Sequence, residues 1–206
     1  MTLGDFWSFF SNNFFLIFFV GGLGNLEQLM ILDQNLQDSV ATANFSFLPK
    51  LKVLGIYTSN LTKLTIPPAG VIANLEELRL TSNPLDLDTL TYENFKNLKV
   101  LDVRDSEMEM STIKKFPSTL VELIIYLKKM SSADGFQHLN VSLSGLQRLK
   151  ELAVIYNIPE SKMLDINLEG CPATLSKGIF LFFVVIRFIK SNLPAVKYLN
   201  CCWPGL

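Results

Sequence analysis

The chain has 206 residues, of which 49% are hydrophobic and 18% are charged, and its formal net charge is −1. This length allows one domain with a sizeable buried core. The near-neutral charge argues against a nucleic-acid partner, because binding phosphates requires an excess of Lys and Arg that is absent here. No charge block and no Gly/Ser-rich or Pro-rich linker divides the chain, so we expect no second, separately linked domain.

The N-terminal segment is strongly apolar. Residues 6–20 read FWSFFSNNFFLIFFV, and the first basic residue in the chain is Lys50. A secretory signal needs a positive leading region, and a membrane span needs roughly 20 uninterrupted apolar residues. We therefore predict that residues 1–25 form an apolar N-terminal cap or the remnant of an upstream repeat, with a signal or signal-anchor segment as the alternative. A repeat starting at Leu3 would have suitable spacing but almost no pattern, and we leave it out.

A repeated pattern begins after this segment. Residues 75–85 read LEELRLTSNPL, which matches L-x-x-L-x-L-x-x-N-x-L in full. Apolar residues at positions 1, 4 and 6 of the pattern point the same way from a short strand, and only stacked copies can bury them. Similar stretches begin at Leu26, Leu51, Leu75, Leu98, Leu120 and Leu149.

Two further copies are recovered by comparison within the chain. CPATLSKGIF, from Cys171, parallels FPSTLVELII and puts a start at Leu175, whereas LPAVKYLNC parallels LPKLKVLGI and puts a start at Val196. Residues 26–206 are thus predicted to form an array of about eight copies, truncated at the C-terminus. The apolar run from Ile179 to Ile186 is assigned to core packing, with an exposed patch for a partner or for missing repeats as the alternative.

The segments between the predicted strands carry their own signals. Prolines predict short turns or 3₁₀ pieces rather than long helices, and an apolar residue three or four positions before each copy is expected to pack on the core. Position 9 should turn its side chain towards backbone groups of adjoining loops. The apolar residues are Phe47, Ile72, Phe95, Phe116 and Leu146. Position 9 is occupied by Gln34, Ser59, Asn83, Ser106, Lys128 and Asn157.

The copies resemble those of the leucine-rich repeat superfamily over residues 26–202. The resemblance implies an α/β solenoid that is curved, with parallel strands on the concave face and short helices, turns and loops on the convex face. Its usual work is protein binding as a repeat scaffold. FPSTL and CPATL resemble irregular intracellular repeats of fungal type, such as those in F-box proteins, but no subfamily is assigned.

The predicted site lies on the concave face, because alternate strand residues at positions 3, 5 and 7 point away from the core. Tyr and Arg among them are the residue types enriched in protein-binding hot spots. The alternative is that Glu77, Arg79, Asp102 and Arg104 pair across neighbouring strands, which would stabilise the sheet by roughly 0.2–1 kcal/mol each. The predicted partner-binding residues are Tyr57, Arg79, Asp102, Arg104, Glu122, Tyr126 and Ile155.

No catalytic constellation is found in the sequence. His138 is the single histidine, predicted in a loop on the convex side, and no Ser or Cys stands in a nucleophile motif. Cys171, Cys201 and Cys202 are too few and badly spaced for a four-ligand zinc site. We therefore predict a non-enzymatic protein with no catalytic residues, no metal and no cofactor.

Two functions remain open. The absence of a flanking cysteine cluster favours a reducing compartment, the cytoplasm or nucleus, and an intracellular scaffold or a substrate-recognition subunit of a ubiquitin ligase. Glycosylation sequons at Asn44, Asn60 and Asn140 support the alternative, an ectodomain fragment of a secreted or cell-surface leucine-rich repeat receptor. Either form would bind a protein partner, with no nucleic acid and no membrane, and further repeats or a capping partner would complete it.

Overall fold

The computed structural model consists largely of short parallel strands. It describes residues 7–9, 24–32, 48–58, 60–62, 64, 73–87, 90, 92–104, 113, 115–127, 136–156, 163–182, 186–188 and 198–202. The strands are β1 (Trp7–Phe9), β2 (Gln28–Leu32), β3 (Val53–Tyr57), β4 (Glu77–Arg79), β5 (Val100–Val103), β6 (Glu122–Leu127), β7 (Phe136–Ser142), β8 (Glu151–Tyr156), β9 (Met163–Glu169), β10 (Lys177–Phe182), β11 (Ile186–Phe188) and β12 (Tyr198–Cys202).

Nine of these strands form one open, all-parallel sheet. Their order is β1-β2-β3-β4-β5-β6-β8-β10-β12. The register joins position 3 of each copy to position 3 of the next, from Gln28 beside Val53 to Lys177 beside Tyr198. A long parallel sheet with few helices confirms the predicted solenoid architecture, in which each copy contacts its neighbours in sequence.

The same backbone hydrogen bonds recur where one copy stacks on the next. The amides at positions 2 and 3 of a copy both donate to the position 2 carbonyl of the preceding copy. At the first junction, the amides of Lys52 and Val53 donate to the Glu27 carbonyl at 2.8 and 3.0 Å. The same pairing joins Glu76 and Glu77 to Lys52, and it continues through the copy that begins at Leu175. Each copy therefore presents the acceptor that its successor requires.

The core consists of the three apolar columns that the repeat pattern predicts. Position 1 is leucine from Leu26 to Leu175, position 4 is leucine from Leu29 to Leu152, and position 6 is Ile, Leu or Val from Ile31 to Val154. The copy that starts at Leu175 departs from this pattern, with Gly178 at position 4 and Phe180 at position 6. Burying one such side chain stabilises the fold by roughly 1.5–3 kcal/mol. The predicted apolar residues Phe95, Phe116 and Leu146 are buried against these columns, whereas Phe47 and Ile72 lie outside the described residues. The buried columns are Leu26, Leu51, Leu75, Leu98, Leu120, Leu149 and Leu175; Leu29, Leu54, Leu78, Leu101, Leu123 and Leu152; and Ile56, Leu80, Val103, Ile125 and Val154.

Asn83 performs the role predicted for position 9. Its side chain is fully buried, and its Oδ1 accepts a hydrogen bond from the Leu61 amide at 3.1 Å. Its Nδ2 donates to the carbonyls of Ile56, Leu80 and Thr81 at 2.8, 3.1 and 3.2 Å. One amide thus joins the loops of two successive copies. The other five position 9 residues lie outside the described part of the chain.

A second sheet lies in the segments between the later strands, where short helices, turns and loops were predicted and strands were not. Strands β7, β9 and β11 pair in parallel in the order β11-β9-β7. His138, predicted in a loop, belongs to β7 and lies beside Asp165 of β9. The reason is strict alternation of apolar and polar residues, as in Leu164-Asp165-Ile166-Asn167-Leu168, which is the period of a strand.

Helix is scarce, and the N-terminal end contains one more strand than predicted. The described residues include one 3₁₀ helix, Tyr92–Asn94, and no α-helix, so in this part of the chain the α component of the predicted α/β class amounts to that helix and to turns. Within these residues no helix has the length and apolar character that crossing a bilayer requires. Strand β1 pairs with β2, with Trp7 beside Leu29. The pattern missed this strand because Trp7, at the equivalent of position 4, is one residue out of step with a copy starting at Leu3.

Candidate functional site

The candidate site is the face of the nine-stranded sheet opposite the leucine core, formed by positions 3, 5 and 7 of the copies and called here the open face. Because the strands pair in register, each position forms a row across the sheet. The position 5 row runs from Gly55 through Arg79, Asp102 and Ile124 to Ala153. Residues that are more than twenty positions apart in the chain therefore become neighbours on this face.

Asp102 lies beneath two arginines at the centre of the face. Arg104 donates to its carboxylate in bidentate fashion, from Nε to Oδ1 at 2.9 Å and from Nη2 to Oδ2 at 2.8 Å. Arg79 of the adjacent strand approaches Oδ2 with Nη1 at 3.9 Å. The Asp102 side chain is only 1% exposed, although its register places it on the open face. Its carboxylate therefore orients the two guanidinium groups and is covered by them.

Arg79 is also held by its own strand. Glu77, two residues earlier, accepts hydrogen bonds from Nη2 at 3.0 Å and from Nε at 3.3 Å. Burial is the largest single influence and lowers the pKa of the Arg79 guanidinium, but the hydrogen bond and charge of Glu77, together with the charges of Tyr57 and Glu122, raise the net pKa above its usual value. Arg79 thus remains a fixed positive charge.

Tyr57 lies against the backbone of Gly55. A β-carbon placed on Gly55 would lie 2.6 Å from Cε2 and 2.9 Å from the hydroxyl oxygen of Tyr57, and it would also overlap Met30 Sδ. The Tyr57 hydroxyl lies 3.6 Å from that sulfur. Only glycine leaves room for this arrangement, in which the tyrosine and methionine side chains fill the space above position 55.

The charges around Tyr57 affect its titration. Burial is the largest influence and raises the pKa of the phenol above its ordinary value of 10.0. The positive charges of Arg79 and Arg104 lower this pKa, whereas Asp102 and Glu77 raise it. These influences show that the tyrosine belongs to the same electrostatic cluster as the two arginines.

The next two strands, β6 and β8, each place a carboxylate on the open face. Glu122 of β6 is half-buried and lies beside Glu151 of β8 in the register. Glu151 accepts a hydrogen bond from Lys177 Nζ of β10 at 2.7 Å, and this hydrogen bond is the main cause that raises the pKa of the lysine. The position 3 row is therefore acidic at β6 and β8 and basic at β10.

The predicted site residues are thus brought together in part. Tyr57, Arg79 and Asp102 on β3, β4 and β5 form one cluster with Arg104, which directly follows β5, and Glu122 lies on the adjacent strand. The backbones of Tyr126 and Ile155 pair on β6 and β8, but their side chains lie outside the described residues. The ion pairs of the alternative are also present, since Arg79 reaches Asp102 across strands, and each arginine pairs with the acidic residue two positions before it.

A row of charges at the N-terminal edge of the strands was not predicted. Position 2 carries Glu27, Lys52, Glu76 and Lys99 in succession, with ion pairs of 2.9 Å for the first two and 2.6 Å for the last two. A hydrogen bond from Lys99, together with its charge, lowers the pKa of Glu76. The alternating signs in the sequence were a usable signal. Three of these residues also border a shallow groove of about 380 Å³. Its lining residues are Glu27, Pro49, Lys50, Lys52, Asn74, Glu76 and Asn97.

In the described ranges, no group of three or more His, Cys, Asp or Glu side chains could hold a metal ion. The hydroxyl of Thr81, at position 7 between Tyr57 and Arg104, is enclosed and makes no hydrogen bond. All other features of the central cluster are charge pairs and packed side chains. The arrangement is suited to contact with another molecule through rigid side chains.

No family model matches the chain, and no curated protein matches it. Among solved structures, the chain is similar to internalin C2 of Listeria monocytogenes, a leucine-rich repeat protein. The two are 16% identical, the match covers 87% of this chain and 82% of that one, and the TM-score is 0.50. At this identity the similarity supports a leucine-rich-repeat-like fold and carries no assignment of family or role.

Proposed function

We propose that this protein is a non-enzymatic protein-interaction module that binds a protein partner on the open face of its nine-stranded sheet. The observation that carries the proposal is the central cluster, in which Tyr57 lies on Gly55 beside two arginines oriented by a buried carboxylate. Tyr and Arg supply much of the energy in protein interfaces. Side chains that are already held in place lose little conformational entropy on binding.

The residues of the proposed interface divide by exposure. Tyr57, Arg79 and Arg104 are partly exposed and would contact the partner directly. Asp102 would act as a positioning residue, because its carboxylate is covered. We extend the interface across β6 and β8 to Glu122, Tyr126 and Ile155, which the register places along the same rows.

The leading form of this proposal is an intracellular scaffold, or a substrate-recognition subunit of a ubiquitin ligase, in the cytoplasm or nucleus. It is supported by the sparse cysteines and by the likeness of FPSTL and CPATL to irregular intracellular repeats. The second candidate is an ectodomain fragment of a secreted or cell-surface receptor. One observation favours it: Asn60 of the Asn60-Leu61-Thr62 sequon is exposed at a left-handed turn, with φ of 53°.

The test compares proteins captured from the source cells by three tagged full-length chains. These are the wild type, the variant Tyr57→Ala/Arg104→Ala/Tyr126→Ala, and the control Lys52→Ala/Lys99→Ala at the edge of the sheet. We expect specific proteins to co-purify with the wild type and the control but not with the triple variant. Circular dichroism and urea unfolding establish that each variant is folded. A folded triple variant that captures the same proteins would sink the proposal.

Gly55→Ala provides a second variant that removes no contacting group. The added methyl would collide with the Tyr57 ring and with Met30 and push both from their places. We expect weaker capture with little loss of stability, since the groups that move are the ends of flexible side chains. Gly145→Ala is the matched control, because a β-carbon at Gly145 meets nothing within 4 Å.

The identity of the captured proteins decides between the two candidates. Cytosolic proteins, and ubiquitin-ligase subunits in particular, would support the intracellular form. Secretory chaperones would support the receptor fragment, together with a glycosidase-sensitive shift in gel mobility that Asn60→Gln reduces.

A further inference from the structure

We infer that the partner meets the open face with a segment that carries an acidic side chain close to an aliphatic or aromatic one. The inference rests on the proposed function and specifies the chemistry that this face recognises. Its two halves come from different residues: the acidic preference from Arg79 on β4 and Arg104 directly after β5, and the apolar preference from side chains on β2 and β3.

Arg104 has the most exposed charged side chain of the central cluster, and the Asp102 carboxylate that balances it is buried. The Arg104 side chain is 41% exposed and that of Arg79 is 28% exposed, whereas Asp102 beneath them is 1% exposed. The Glu77 side chain is 34% exposed, more than that of Arg79, but its carboxylate accepts two hydrogen bonds from Arg79. A partner approaching from solvent therefore meets guanidinium edges, with part of the balancing charge hidden below them. A carboxylate on the partner would form short charge-assisted hydrogen bonds with these planar donors, and an ammonium group would be repelled.

An apolar surface adjoins the arginines. Leu32 of β2 is 38% exposed and lies beside Tyr57 of β3 in the register. Met30 and Val53 are partly exposed on the same two strands, and the Tyr57 ring joins them. Contact between large apolar side chains and this surface would remove apolar area from water, which favours association.

Register sets the distance between the two halves. Tyr57 and Arg104 both occupy position 7, and one strand separates β3 from β5. Neighbouring strands lie roughly 4.8 Å apart, so the two residues stand on strands about 10 Å apart. An extended segment covers that distance in about three residues. The acidic and apolar side chains of the partner should therefore lie within about three positions of each other.

The experiment selects displayed random peptides of about twelve residues on the immobilised full-length chain. We expect the enriched peptides to carry Asp or Glu within about three positions of Leu, Ile, Phe or Trp. Replacing that acid with its amide in a synthetic peptide should weaken binding about ten-fold, because the charge-assisted hydrogen bonds are lost. Affinity should also fall as salt concentration rises. Changing the peptide rather than the protein leaves the fold untouched.

Other outcomes separate this inference from the proposed function. Enriched peptides that are basic or lack an acid, or an amide substitution that leaves affinity unchanged, would overturn the acidic preference. If such peptides still lose binding to the folded Tyr57→Ala/Arg104→Ala/Tyr126→Ala variant, the open face remains a protein-binding surface. Peptides that bind this variant as well as the wild type, or no enrichment above a blank surface, would count against both.

Discussion

Arg104 binds both carboxylate oxygens of Asp102, which lies two residues earlier in β5, and covers it from solvent. Arg104 directly follows the end of β5, and side chains two positions apart in extended backbone point to the same face, so the two groups can meet. The pair anchors the centre of the open face, since Arg79 also approaches the same carboxylate from the adjacent strand. The buried Asp102 carboxylate thus holds Arg104 directly, whereas Arg79 is held by its hydrogen bonds to Glu77 together with the charge of Asp102.

Asp102→Asn should lower the free energy of unfolding by about 1–3 kcal/mol, because two guanidinium groups would lose their buried counter-charge. Urea unfolding followed by circular dichroism measures the effect. Glu77→Gln is the matched control, since Glu77 also binds an arginine but is partly exposed, and we expect a loss below about 1 kcal/mol. Equal losses in the two variants would contradict the prediction that the buried Asp102 carboxylate contributes more to stability than the partly exposed Glu77.

Thr81→Val should stabilise the protein by about 0.5–1 kcal/mol. The Thr81 hydroxyl is enclosed without a hydrogen-bond partner, and valine keeps the shape while removing the unsatisfied group. Thr119→Val should do the opposite, because the Thr119 hydroxyl donates to the Leu98 carbonyl at 2.6 Å. Thermal unfolding of both variants tests the pair, and a destabilised Thr81→Val would refute the assignment.

Gly170→Ala should lower the free energy of unfolding by about 1–3 kcal/mol. Gly170 has φ of 63°, and an added β-carbon would lie 2.9 Å from both Cα and Cβ of Ser144. Gly145→Ala, next to that serine, has open space and should change stability by less than about 0.5 kcal/mol. Comparable unfolding midpoints for the two alanine variants would contradict this prediction.

Tyr57 should ionise above its ordinary pKa of 10.0, because burial disfavours the phenolate. The difference in near-ultraviolet absorbance between the wild type and Tyr57→Phe during alkaline titration isolates this residue. Because the folded pKa is raised, the stabilisation linked to it is present below pH 10.0 and is lost as the pH rises through the folded pKa. Arg79→Gln should raise the pKa further, since the arginine charge favours ionisation. Ionisation at or below the ordinary value would contradict the burial of the phenol.

The repeat pattern predicted the strands and their register well, for a simple reason. Leucines such as Leu78 and Leu101 are required at fixed positions by a shared core, and their spacing shows which residues must lie side by side. The same spacing predicted that Arg79 and Asp102 are neighbours. The role of Asn83 was also predictable from the repeat, because position 9 requires a side-chain amide that hydrogen-bonds the backbone of two successive copies.

Other features could not be read from the repeat. The burial of Asp102 depends on the rotamers of Arg79 and Arg104, which the pattern does not specify. The close contact of Tyr57 with Gly55 depends on the missing β-carbon of Gly55. The repeat pattern alone does not predict that the tyrosine side chain fills this space. The second sheet does not follow from the repeat pattern, because the prolines of these segments predict turns, whereas the alternation around Asp165 has the period of a strand.

Every copy offers the same acceptor, its position 2 carbonyl, to the copy that follows, so the backbone hydrogen bonds do not distinguish one copy from another. If residues 75–97 were excised, the amides of Lys99 and Val100 would find the Lys52 carbonyl that now serves Glu76 and Glu77. The side chains would not match, however, since Lys99 would then stand beside Lys52 instead of Glu76. The alternating charges therefore favour the native order of the copies. Slipped or swapped stacking, which the hydrogen bonds alone would permit, would place like charges side by side.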